Sequence, residues 1–170
     1  MALWPDAAVR ARLDQRAQEC LLEHPGARRM QAANLHLTLA FIGALAPARA
    51  PAVAAMLVNL PLPGGQWTLD CVGYFAQARV LWTGGTAPQG LRELAEGVRS
   101  GLDALQVDYD RGDFVPHVTL LRNVKNRVAP TRQEEQVPDP IRWNLGNPVL
   151  VRSTRDAAGR VQYRPWMETQ

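Results

Sequence analysis

The chain has 170 residues, 46% of them hydrophobic and 21% charged, with a net charge of +3 at pH 7. That composition fits a soluble globular protein with one substantial core, or two small lobes around one cleft, and excludes a disordered chain. Asp6 and Arg10 interrupt the start too early for a secretion signal, and Pro47, Arg49, Pro51 and Pro61 break the most apolar stretch, so no membrane span is expected and the expected location is the cytoplasm.

The elements are read in chain order from apolar periodicity and turn residues. Met1 to Trp4 is a fragment of strand. An amphipathic helix follows, capped by Asp6, with Val9, Leu13, Ala17, Cys20 and Leu21 on one stripe, and His24-Pro25-Gly26 ends it. A strand over 35–39 is closed by Gly43, and a short helix covers 51–59 with Pro51 in its first turn. Strands are expected over 67–72 and 79–83, then a second long helix from Pro88 with Leu91, Leu94, Ala95, Val98, Leu102 and Leu105 on its apolar side. A polar turn over 108–112 leads into another strand. Residues 123–140 are polar and Pro-rich and read as a long surface loop. Strands over 142–145 and 148–153 follow, with a turn over 156–159 into 161–163.

Two short stretches repeat a pattern: Leu35-His36-Leu37-Thr38-Leu39 and Pro116-His117-Val118-Thr119-Leu120. On a strand, His36 and Thr38 share one face and the leucines the other, and His117 and Thr119 pair in the same way. Chance gives two of three histidines this context only about once in a few thousand compositions. The gap from Trp4 to His36 is 32 residues and that from Trp82 to His117 is 35. A strand-helix-strand unit therefore occurs twice, over 1–42 and 79–122, within a single domain spanning 1–170. An internal pseudo-twofold follows, with the motif strands expected to face each other across a cleft. His24 lacks a following Thr and reads as exposed and unemployed.

The paired His-x-Thr-x motifs, about 80 residues apart, resemble those of the 2H phosphoesterase superfamily. The longer strings from Asn34 to Gly43 and from Phe114 to Arg122, with Arg79-Val80-Leu81-Trp82, are similar to its bacterial RNA 2',3'-cyclic phosphodiesterase branch, also called 2'-5' RNA ligases. The resemblance implies an α+β bilobal fold of mainly antiparallel sheet with outer helices and a central cleft. Family members carry several more strand residues before the position of Leu3, so the first strand looks clipped, which bears on stability. In the family, the last strands finish the sheet of one lobe.

Two facing imidazoles can serve as acid and base near neutral pH without a metal. Hydrolysis of a phosphodiester needs both, and a hydroxyl beside each can hold a non-bridging phosphate oxygen. The residues themselves leave open which His does which. The resemblance implies His36 as the acid that releases the 3'-oxygen and His117 as the base, giving a 2'-phosphate, with 2'-5' ligation as the reverse reaction. Thr38 and Thr119 are the expected phosphate contacts. Phe41 and Arg122 each lie five residues after a motif His, where the family has an aromatic near the base and an Arg near the phosphate. Strict alternation places both on the opposite face, so they reach the cleft only through a bulge or a strand end. For Phe41, core packing is the competing use.

Two imidazoles without an acidic or Cys partner make a poor metal cage, and Cys20 and Cys71 are isolated and read as buried small hydrophobes, so neither metal nor cofactor is expected. The expected partner is RNA or a nucleotide ending in a 2',3'-cyclic phosphate; the chain is expected to act as a monomer, with no membrane and no obligate protein partner. Two readings compete: another 2H activity such as 2'-5' linkage hydrolysis, and a non-catalytic RNA- or nucleotide-binding module. Of 19 basic residues only Lys125 is a lysine, and residues 122–164 carry a net +5 against −1 over 1–121, a distribution that suits a polyanion. A coding bias accounts for the Arg skew itself.

Overall fold

Asp6 caps the first helix, α1 (Ala7–Glu23), accepting a hydrogen bond from the backbone N–H of Val9 at 2.8 Å. The structure is a computed structural model, and it describes residues 1–125, 135–157, 159 and 161–166. Val9, Leu13 and Ala17 of α1 are buried. After α2 (Ala50–Val58), α3 (Gln89–Ala104) starts at Pro88 and buries Leu91, Leu94, Ala95, Val98 and Leu102, the stripe its periodicity predicts.

Among the described residues, seven strands form one sheet: β1 (Ala2–Leu3), β2 (Arg28–Arg29), β3 (Leu37–Thr38), β4 (Gln66–Phe75), β5 (Val80–Gly84), β6 (His117–Arg122) and β7 (Glu135–Asn144). Their order is β1-β3-β6-β5-β4-β7, with β2 beside β6, and each pairing is antiparallel. The architecture is α+β with a mainly antiparallel sheet. β1-α1-β3 and β5-α3-β6 are both strand-helix-strand units whose strands pair with each other. One face of the sheet carries Leu3, Leu37, Leu81, Val118, Leu120 and Leu121, which join the helices in the main core. The other face is the floor of the cleft.

Three expectations change. The motif strands β3 and β6 are hydrogen-bonded neighbours, with Leu37 opposite Val118; they do not confront each other across the cleft but lie side by side beneath it. The second half of the expected loop is strand: β7 begins at Glu135. Its prolines hid it. Pro138 and Pro140 sit on an edge strand where the pairing to β4 shifts register between Leu69 and Cys71, a place that tolerates residues without an N–H. The last strands also do not all join the main sheet. β8 (Val151–Arg155) and β9 (Val161–Pro165) form a separate hairpin, turned by a hydrogen bond from Gly159 N–H to the Asp156 carbonyl at 2.9 Å.

Arg16 braces the register shift. Buried on α1, its guanidinium donates to the Leu69 carbonyl at 3.1 Å, to Thr83 Oγ1 at 3.0 Å and to the Asp139 carbonyl, tying α1 to β4, β5 and β7. Arg16→Met leaves the buried Leu69 carbonyl and Thr83 hydroxyl without this donor. It is expected to cost about 3 kcal/mol of stability in urea unfolding, against less than about 1 kcal/mol for Arg12→Ala, whose ion pair with Asp139 is exposed.

Candidate active site

The register of the motif strands builds the site. With Leu37 opposite Val118, His36 falls opposite Thr119 and Thr38 opposite His117, so each imidazole stands beside the other strand's hydroxyl. The two histidines are diagonal neighbours, on the order of 7 Å apart by sheet geometry. A phosphate fits between them. All six residues expected from the sequence, His36, Thr38, Phe41, His117, Thr119 and Arg122, line one cavity of about 570 Å³.

Arg122 and Phe41 reach it by different routes. Against β5, Leu81 pairs with Leu121 but Trp82 pairs with Thr119, so Leu120 is an extra residue on β6. This bulge resets the alternation: Leu120 and Leu121 are both buried, and Arg122 returns to the face of His117 and Thr119. β3 ends at Thr38, and Phe41, beyond that end, leaves its ring 65% exposed at the cavity wall.

Each imidazole is held the same way. His36 Nδ1 lies 2.7 Å from the Asn34 carbonyl and His117 Nδ1 lies 2.7 Å from the Val115 carbonyl. A carbonyl only accepts, so Nδ1 carries the proton and Nε2 is the working nitrogen in both. Aromatic rings fix the planes. Trp4 stacks on His36 at 5.1 Å between centroids and Tyr163 meets it edge-on at 4.8 Å; Phe75 meets His117 edge-on at 4.9 Å, with Trp82 at 6.0 Å. Burial pushes the His36 imidazolium down to about 4, and burial lowers His117 as well.

The hairpin supplies the other wall through Arg152, Ser153 and Tyr163. Asn34 fastens it: its buried side chain donates to the Val161 carbonyl at 2.9 Å and accepts from Tyr163 N–H at 3.1 Å. The sequence reading did not pick out Asn34, Phe75, Tyr163, Arg152 or Ser153 for the site. Only the repeated Trp-to-His spacing hinted that Trp4 and Trp82 serve the histidines. Among the described lining residues there is no Asp, Glu or Cys, while Arg122 and Arg152 are both present. This is a cavity for an anion. His24 is half-buried and lies away from it.

The family model of the 2'-5' RNA ligase superfamily matches residues 5–157. An RNA 2',3'-cyclic phosphodiesterase of Escherichia coli (strain K12) is 32% identical over 149 residues, covering 84% of this chain and 81% of the relative. A protein of the same name from Thermus thermophilus is 31% identical over 140 residues, covering 75% and 68%. The crystal structure of E. coli LigT complexed with 3'-AMP superposes with a TM-score of 0.77 at 28% identity, covering 98% of this chain and 92% of that one. With the paired motifs side by side in one cavity and relatives of that kind along most of its length, the chain belongs to the 2'-5' RNA ligase superfamily, in its bacterial 2H phosphoesterase branch.

Proposed function

We propose that the chain hydrolyses 2',3'-cyclic phosphate ends of RNA or nucleotides to 2'-phosphomonoesters, by metal-independent acid–base catalysis between His36 and His117. The observation that carries this reading is the cavity itself: two imidazoles, two hydroxyls and Arg122 converge on a space that no acidic side chain lines among the described residues. The activity for which those relatives are named supports it. The chain acts as a single 1–170 unit, a monomer in the cytoplasm, with the repeat over 1–42 and 79–122 supplying one motif each. Among the described residues no helix is long and apolar enough to cross a membrane.

In the step, His117 Nε2 takes a proton from water as its oxygen attacks phosphorus. The bond from phosphorus to the ribose 3'-oxygen breaks, and His36 Nε2–H protonates that oxygen, leaving a 3'-hydroxyl and a 2'-phosphate. Thr38 and Thr119 donate to non-bridging oxygens, and Arg122 balances the charge on the phosphoryl group. Phe41 offers an exposed ring against the base. With an RNA 5'-hydroxyl in place of water as the attacking group, the same step breaks the bond to the 3'-oxygen and forms a 2'-5' bond.

The test is phosphorus NMR of the protein with a 2',3'-cyclic nucleotide in excess chelator. Accumulation of the 2'-phosphate supports the reading; no turnover, a 3'-phosphate product, or a reaction that needs added metal overturns it. The pH profile follows from the lowered imidazoles. kcat/KM reports the free enzyme, which needs one His protonated and one neutral. With both groups held below the usual 6.5, kcat/KM is expected to peak on the acid side of 6.5 and fall as pH rises above it. The profile of kcat lies at higher pH, because the bound phosphate anion favours the imidazolium.

A further inference from the structure

Two pairs of arginines stand directly opposite each other across strands. Arg28 on β2 faces Arg122 on β6, and Arg152 on β8 faces Arg164 on β9. Like charges in such positions repel and destabilise the sheet. The protein does not relieve either pair: among the described residues the ion pairs are Arg12 with Asp139, Arg29 with Asp14 and Arg111 with Asp103. The contrast with Arg29 is local. It points to the helix side of the sheet and finds Asp14, whereas its neighbour Arg28 shares the cleft side with Arg122 and is exposed. In each pair the inner member, Arg122 or Arg152, lines the cavity, and the outer member, Arg28 or Arg164, is exposed beyond its lining. Positive charge therefore runs outward from the cavity over two separate pieces of the fold.

We propose that these pairs are a backbone-binding surface for single-stranded RNA, taking the phosphodiesters of the chain that precedes the reacting end. This rests on the proposed function and specifies its substrate as a polynucleotide in preference to a free cyclic nucleotide. The counter-charge that the sheet lacks comes from the RNA: a guanidinium pair held at strand spacing offers planar forks to successive phosphates. Exposed Phe41, at the same cavity, adds a ring on which a base stacks.

The experiment is fluorescence anisotropy with a labelled single-stranded RNA of about ten nucleotides ending in a 3'-phosphate, which the reaction does not consume. Wild type is compared with Arg28→Glu, Arg164→Glu and the charge-matched control Arg92→Glu on the exposed side of α3. Arg28→Glu and Arg164→Glu are each expected to raise Kd about tenfold and to make the dependence of log Kd on log salt shallower by roughly 0.7 or more; Arg92→Glu changes Kd less than about twofold. Thermal melts of all four proteins check folding. Equal effects of the three substitutions, or no effect of the first two, overturn the surface. Turnover of a 2',3'-cyclic mononucleotide by the wild type is read beside it: its absence, with the binding pattern intact, refutes the proposed reaction and leaves the RNA surface standing.

Discussion

His36→Ala and His117→Ala are each expected to lower kcat on a 2',3'-cyclic nucleotide by about 10²–10⁴-fold, the usual contribution of a positioned general acid or base. The double variant is expected to be little worse than either single one, because the two imidazoles act in one transition state. Neither change removes core packing, since both rings border the cavity, so circular dichroism should be unaltered. The two roles separate by leaving group. An activated diester such as bis(4-nitrophenyl) phosphate releases a stable anion and needs no acid. His36→Ala should therefore retain much of its activity on that substrate, while His117→Ala should not. The reverse pattern exchanges the roles, and activity surviving both substitutions sinks the two-histidine mechanism.

Gly73→Ala is expected to lower both stability and turnover although it touches no substrate. Gly73 pairs with Trp82 across β4 and β5, and a Cβ at Gly73 would lie 2.2 Å from the Trp82 ring; one at Gly84 would lie 2.9 Å from it. The indole thus lies in a slot between two glycines, with its centroid 6.0 Å from that of His117. A methyl group at Gly73 displaces the ring and disturbs the aromatic packing of Trp82 and Phe75 around His117. The expected cost is about 1–3 kcal/mol of stability from overpacking and about a 10–100-fold fall in kcat, with KM little changed, from displacement of the base. Trp82→Phe relieves the clash and breaks no hydrogen bond, because the buried indole N–H makes none among the described residues. The double variant should melt above Gly73→Ala alone. Simple additivity of the two changes would mean that the slot does not transmit the clash.

Much of this was legible in the sequence because it depends on local period. The alternation of Leu35 to Leu39 put His36 and Thr38 on one face, and the stripes of α1 and α3 named their buried residues. The cap at Asp6 also follows from local chemistry. What escaped depends on contacts distant along the chain. Strand neighbours are not written in a strand's own residues, so the pairing of β3 with β6 was misplaced across a cleft. The bulge at Leu120 carries no glycine or proline to announce it, yet it decides that Arg122 reaches the cavity. Pro138 and Pro140 spoke against a strand, and only the irregular partner strand at Leu69 and Cys71 makes room for them. Tyr163 lies 127 residues from His36, and nothing in the intervening sequence links them.

The β8–β9 hairpin has a ladder of its own and, among the described residues, meets the rest of the protein through few hydrogen bonds: the carboxamide of Asn34 to Val161 and Tyr163, Gln162 to Gln31, and the bridge from Ala2 to Val149 at its base. The reacting groups belong to the central sheet, while Arg152 and Ser153 belong to this appended piece. The two can therefore diverge separately. Insertions or exchanges in the hairpin that spare Tyr163, the ring set against His36, alter what is admitted without disturbing how it is cleaved, which makes this ribbon the natural place for paralogues of one chemistry to acquire different clients.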